Sequence, residues 1–467
     1  MNKPMEYHVD KAVDTIQKRL ADYACDLDYA SLSPEAVHAT KVRVIDTLGA
    51  LIGAFFAEPC RITRDLAAQM PGNDGSTVIG TRMKTTPDMA AFANATASRF
   101  LDVNDVYHWP GSSLGHPSDV LTPVLAAAEC AKADGRGFIT GVVLAYEAYL
   151  RIADRVFAPE FDPANFCCLG VAMAAGKLLG INREQMSHCI SMAVVPNVAL
   201  NQGRIGHLSM WKAAACGQAG RAGVFAALLA RAGMEGPHLP YEGKAGWCDH
   251  VVRKRFSLDT MGGNGIRFKI QDTLIKPRPS CATTMSSILA AEKIAPVRSK
   301  DVKHVLVEVY RSAKENMATG EHHWNPTSRE TADHSIPYVT AATLMDGTIT
   351  PRSFNEAKIW NPDLRALIHK IEVVANDEFS RAYEQLPVMH KTRVTVVTNS
   401  GETLVSESGG DKGDLSQPKT DAQIEDKFRS LAEDVLGARR VNAILDRLWH
   451  LEELRDITAI PALFVLD

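Results

Sequence analysis

The chain has 467 residues, of which 46% are hydrophobic and 23% charged, with a formal net charge of −4. Such a composition describes a globular protein large enough for two or three domains, each with its own core. It provides no general attraction for nucleic acid or anionic membranes, so any cationic site is local and the expected partner is a small molecule.

The opening residues, MNKPMEYHVDK, carry neither an apolar segment nor an Arg/Ser-rich presequence, so the cytoplasm is the expected location. From about residue 9 to 229 nearly every segment has helical periodicity: 34–56, 87–100, 117–133, 138–156, 168–179, 183–200 and 210–232. The longest apolar run, 47–57, is too short for the roughly 20 residues of a membrane span. Small residues in 168–180 and 213–223 predict helices that approach closely and are buried on several sides.

The pattern changes after Gly262-Gly263-Asn264-Gly265, which reads as a flexible joint. Segments 302–310, 371–374 and 392–397 are rich in β-branched residues, and Asn399-Ser400-Gly401 has the composition of a hairpin turn. Helical stretches, 283–294 and 336–345, lie between them. Beyond the turn-rich 409–418, Thr420 and Gln423 have the spacing of a capping box, and Ile424, Phe428, Leu431 and Val435 share one stripe. The expected architecture is mainly α with an α+β insertion. An all-helical domain is built from both chain ends (1–271 and 409–467), a smaller α+β lid covers 272–408, and a cleft between them suits a small ligand.

Nine scattered cysteines suit reduced core thiols. No CxxC, HExxH, GxGxxG or P-loop motif occurs, so no metal or nucleotide cofactor is expected, and His322-His323 reads as a solvated pair. A pyridoxal-phosphate enzyme using Lys212 or Lys276 lacks the Gly/Ser phosphate cradle.

Four segments gather ionisable groups. In the first, Asp102 and Asp105 follow a helix and are expected on one face at its C-terminus, where the dipole opposes carboxylates by roughly 0.3–1 kcal/mol. Beyond a Gly/Ser/Pro loop, Gly115-His116-Pro117-Ser118-Asp119 opens a second helix. Ser118 and Asp119 equally suit plain capping. In the second segment, 204–212, Ser209 is the expected N-cap, and Arg204 with Lys212 near a helix start suits a carboxylate receptor. The third, Lys276-Pro277-Arg278-Pro279-Ser280-Cys281, sets two cations between prolines, and the fourth, 329–338, places five ionisable side chains at a helix start. Carboxylates and a histidine for proton transfer, with cations for anionic groups, suit proton abstraction beside a carboxylate.

In this order and at these separations, the four segments closely resemble the MmgE/PrpD family over nearly the whole chain. The resemblance implies a homodimer acting on a small carboxylate without metal or organic cofactor. Carried over by motif, it implies Asp102, His116, Lys212, Lys276 and Tyr338 as catalytic residues. Arg204, Asp105, Ser209 and His334 are the implied substrate ligands. Val106, the absence of a histidine in 161–166, and Cys281 at another histidine position depart from the decarboxylases of the family. The Gly115–Asp119 motif looks more like its dehydratase branch, which implies a metal-free lyase acting on a 2-methylcitrate-like hydroxy acid. A decarboxylase, an epimerase or a non-catalytic carboxylate-binding protein are the alternatives.

Overall fold

The computed structural model describes residues 12–109, 115–409, 415 and 417–466. The N-terminal eleven residues, the Gly/Ser/Pro loop at 110–114 and most of the turn-rich 410–416 lie outside the described residues.

Two hydrophobic clusters organise the chain. One joins Ile16, Leu48, Ile139 and Ile275 to Phe428, Ile444 and Phe464, so both ends of the chain share a helical core. The other joins Val106 to residues from Ala282 to Leu415 and is built around Met285, Val305, Ile336, Phe379 and Val394. Its four-stranded sheet places Val302–Val309 between Ile371–Ala375, which is parallel to it, and Thr392–Thr398, which is antiparallel. Thr403–Ser408 forms the outer edge through the turn at Asn399-Ser400-Gly401.

In the helical part, Trp211–Arg231 packs against Pro87–Phe100 and Ala164–Leu178. Its length and apolar composition would suit a membrane span, but most of it is packed inside the protein. Glycines permit the close crossings: a Cβ on Gly223 would lie 2.6 Å from the Cys168 carbonyl oxygen, and one on Gly217 would lie 2.7 Å from that of Phe92. The capping box at Thr420 forms, and the Asp421–Leu436 helix packs Phe428 against Gly49 of Pro34–Gly53.

Four expectations need correction. Asp102 and Asp105 share no helix face, because the Pro87–Phe100 helix ends before Asp102, whose φ of 53° turns the backbone left-handed. Asp105 then enters a two-residue strand, where Asp105 pairs with Ile275 and Val106 with Leu274. The glycine-rich 262–265 is a packed turn rather than a flexible joint. Gly263 and Ile266 exchange backbone hydrogen bonds, Gly262 N donates to Glu147 Oε2 at 2.9 Å, and a Cβ on Gly262 would strike Phe268. Ser209 is not the cap residue of the Trp211–Arg231 helix; Met210 is, and Ser209 Oγ accepts from Trp211 N at 3.3 Å. His322-His323 is not a solvated pair, since His323 is buried and His322 packs between it and His207. The strand at Pro71–Thr77, rich in turn residues, escaped the periodicity reading.

Gly223→Ala inserts a methyl group against backbone that cannot move aside. It is expected to destabilise the fold by about 1–3 kcal/mol, read as a lower denaturant midpoint at unchanged m-value. An unchanged midpoint would show that the two helices have room to separate.

Candidate active site

Backbone hydrogen bonds and strand pairing sew the four ionisable segments together. The Asp105–Ile275 pairing sets the Asp102 turn beside Lys276. Cys281 N and Ser280 Oγ both donate to the Asp333 carbonyl, at 3.1 and 2.8 Å, and Leu208 N donates to Thr331 Oγ1 at 3.2 Å.

At the centre lies the Asp102 carboxylate, fully buried. Arg99 Nη1 donates to its Oδ1 at 2.6 Å, Lys276 Nζ donates to the same oxygen, and Lys212 Nζ stands 3.1 Å from Oδ2. Burial opposes this charge, but Arg99, Lys276 and Lys212 outweigh it and hold the carboxyl well below its ordinary range. Lys212 Nζ also donates to both oxygens of Asp333, at 2.7 and 2.8 Å, so one ammonium bridges carboxylates from the two parts of the fold. Burial is the main influence on Lys276 and lowers its ammonium despite Asp102. Asp102 Oδ2 and Arg99 Nε, both buried, lack an oriented hydrogen-bond partner among the described residues.

His116 Nδ1 lies 2.9 Å from the Asp105 carbonyl oxygen, and its Nε2 is 4.0 Å from Asp102 Oδ1. A carbonyl only accepts, so Nδ1 carries the hydrogen and Nε2 presents its lone pair toward the cluster. Burial first, then Arg99 and Lys276, push the imidazole well below its ordinary range and keep it neutral. Asp105 holds the loop: Oδ1 accepts from Ser118 N at 3.0 Å and Oδ2 from Tyr146 Oη at 2.9 Å.

The other residues taken from the sequence divide clearly. His334 is part of the cluster, its Nδ1 2.6 Å from Asp333 Oδ1. Arg204 is committed to protein groups, with Nε 2.8 Å from Asp162 Oδ2 and Nη1 2.8 Å from the Lys212 carbonyl, so it steadies the helix start that carries Lys212. Ser209 is exposed. Tyr338 sits in the core of the α+β part and donates to the Ser353 carbonyl at 2.6 Å, with no contact to Asp102. Sequence reasoning missed Arg99, whose i,i+3 spacing from Asp102 was the available signal. It also missed Asp333 as a ligand of Lys212, because nothing local reports a contact 121 residues away.

Asp102, Asp333 and His334 bring ligand atoms within 4.8 Å of one another. Lys212 already stands in the position of a cation between the two carboxylates, so these residues do not fit a metal. Lys276 also borders a cavity of about 570 Å³, shared with Arg278 and Lys427, which is the size of a small-molecule pocket.

A helical core closed by both chain ends and an α+β part sewn to it enclose a buried cluster of ionisable side chains, which defines a two-part protein with an interior charged site. The chain belongs to the MmgE/PrpD family: residues 18–259 match the MmgE/PrpD N-terminal domain and 279–451 the MmgE/PrpD C-terminal domain. It is 26% identical over 464 residues to the cis-aconitate decarboxylase of Homo sapiens, covering 94% of this chain and 92% of that one. It is 27% identical over 399 residues to the mitochondrial 2-methylcitrate dehydratase of Yarrowia lipolytica, covering 80% and 74%. With the 2-methylcitrate dehydratase of Cupriavidus necator it shares 25% over 389 residues, 78% of each chain. The relatives named here are thus lyases, of two kinds.

Burial raises the Asp119 carboxyl to about 7, against the opposing pull of Arg99 3.6 Å away. A carboxyl whose folded value lies above its unfolded one contributes stability that is complete below about pH 4 and lost as pH rises toward 7. Asp119→Asn is therefore expected to flatten the decline in stability between about pH 4 and 7 by a few kcal/mol. Urea midpoints across that range test it, and parallel profiles of mutant and wild type would contradict it.

Proposed function

We propose that the protein is a hydro-lyase that dehydrates or hydrates a small di- or tricarboxylate of the 2-methylcitrate type. The observation that carries this reading is the neutral, lone-pair-bearing Nε2 of His116 beside the buried Lys212–Asp102–Lys276 assembly.

In this reading Lys212 and Lys276 take up substrate carboxylates in partial exchange for Asp102. His116 Nε2 removes the proton α to one carboxylate, and the charge left on carbon spreads into that carboxylate under the field of both ammonium groups. The hydroxyl β to the same carboxylate leaves as the alkene forms. Asp102 stays ionised throughout and keeps the two lysines oriented. Asp102 and Lys276 are wholly shielded from solvent, so entry requires the α+β part to move away from the helical part, and its return excludes water.

The names of the Yarrowia and Cupriavidus relatives support a dehydratase. Buried Val106 beside Asp105 weighs against decarboxylation, the activity named for the human relative. The proposal includes a homodimer in the cytoplasm; the exposed apolar side chains of Leu200, Ile205 and Trp211 support the dimer.

Incubation with 2-methylcitrate, citrate and cis-aconitate, with alkene absorbance and NMR of the products, tests the reading. Alkene formed or consumed without carbon dioxide is expected. Release of carbon dioxide would identify a decarboxylase, inversion alone an epimerase, and binding without turnover a non-catalytic carboxylate-binding protein.

His116→Ala is expected to lower kcat by about 10²- to 10⁴-fold, equivalent to roughly 3–5 kcal/mol of barrier. Because only neutral His116 acts as base, and its ionisation lies well below that of an ordinary histidine, kcat/KM should stay level through mildly acidic pH and fall only at lower values. A loss below tenfold, or an acid limb at the ordinary histidine position, would remove His116 from this role.

A further inference from the structure

The mechanism above leaves the departing hydroxyl without a proton donor. Cys281 stands at the cap of the short turn Ala282–Thr284 that leads into the Met285–Glu292 helix. Its backbone is fixed by the Asp333 carbonyl at 3.1 Å, which sets the buried thiol in the field of the neighbouring His334 imidazole. His334 is in turn oriented by Asp333 Oδ1 at 2.6 Å. Thiol, imidazole and carboxylate thus stand in the order that activates a cysteine.

This arrangement joins the Asp102 cluster. Asp333 shares Lys212 with Asp102, and Asp102 faces His116. One line of contacts therefore runs from His116 through Asp102 and Lys212 to Asp333, which holds both His334 and the Cys281 backbone, with a proton-carrying group at each end. His116 comes from the helical part and Cys281 from the α+β part.

The groups acting on the thiol come from every side. His334 lies on the 329–334 segment, Lys276 on the strand exit before it and Asp102 beyond the Pro87–Phe100 helix. Tyr310 and Tyr383 lie on the sheet side. Burial opposes the thiolate, yet His334 and Lys276 outweigh it and bring the thiol down to about 7. A thiol so placed holds its proton part of the time at neutral pH and gives it up readily.

We propose that Cys281 is the second proton-transferring residue of this site, giving the proton of its Sγ to the departing hydroxyl while His116 takes the α-proton. The inference rests on the hydro-lyase reading. The α C–H pair becomes the new C=C bond, and the C–O pair leaves with oxygen. The S–H proton completes a water molecule, leaving a thiolate beside His334 and a protonated His116. Transfer of one proton from His116 to Cys281 through solvent restores the starting state.

The test compares wild type with Cys281→Ser, Cys281→Ala and Cys281→His, each checked for folding by circular dichroism. The difference in thiolate ultraviolet absorbance between wild type and Cys281→Ser should show a titration step near neutrality. That step should move to higher pH in His334→Asn and when citrate is bound. Cys281→Ala should lose about 10²- to 10⁴-fold in kcat with KM changed far less, lose the alkaline limb of the kcat profile, and recover at least about tenfold in Cys281→His. Absence of the step, or a Cys281→Ala enzyme within tenfold of wild type, would overturn the proposal. If wild type turns over none of the acids, the hydro-lyase reading fails and the thiol is judged on the titration alone. A step shifted by citrate keeps Cys281 in the anion site, and a step indifferent to it removes Cys281 from that site.

Discussion

A carboxylate taken wholly out of water must be compensated by charge and hydrogen bonds, and Asp102 imposes that demand on the rest of the molecule. Arg99 answers from the last turn of the preceding helix, Lys212 from the start of another helix, and Lys276 from the strand that leads into the α+β part. No one of these segments could bury its charge alone. The cations are held in the interior by the anion, and the anion by the cations, so the site and the junction between the two cores form together.

Backbone pairing makes that junction reproducible. The Asp105–Ile275 ladder sets the distance between Asp102 and Lys276, and the Asp333 carbonyl receives both Cys281 N and Ser280 Oγ. The left-handed turn at Asp102 is the local cost of aiming its side chain inward rather than along the preceding helix. An aspartate tolerates this conformation better than most residues.

The cluster is shut in as it stands, with the charges satisfied mostly by one another. Under the proposed function, a substrate able to supply carboxylates would replace part of what Asp102 and Asp333 provide to the lysines, and a neutral molecule would not. Under the proposed function, selectivity for small polyanions would follow from this charge balance.

Much of this was legible along the chain. Apolar periodicity located the helices at 34–53, 87–100 and 211–231, glycine-rich stretches announced their close crossings, and the Thr420 capping box marked the return to the helical core, because each depends on residues within a few turns. The family was legible too, in four ordered segments. What the sequence could not express was pairing across long separations. That Arg204 spends its guanidinium on Asp162 and that Tyr338 turns its hydroxyl to Ser353 are outcomes of packing. So are the 105–275 strand pair and the bridging of Asp102 to Asp333 by Lys212. Local sequence determined the elements and the inventory of charges. Tertiary structure alone decided which charges meet, since the energy of a buried ion pair exists only once both partners have left water.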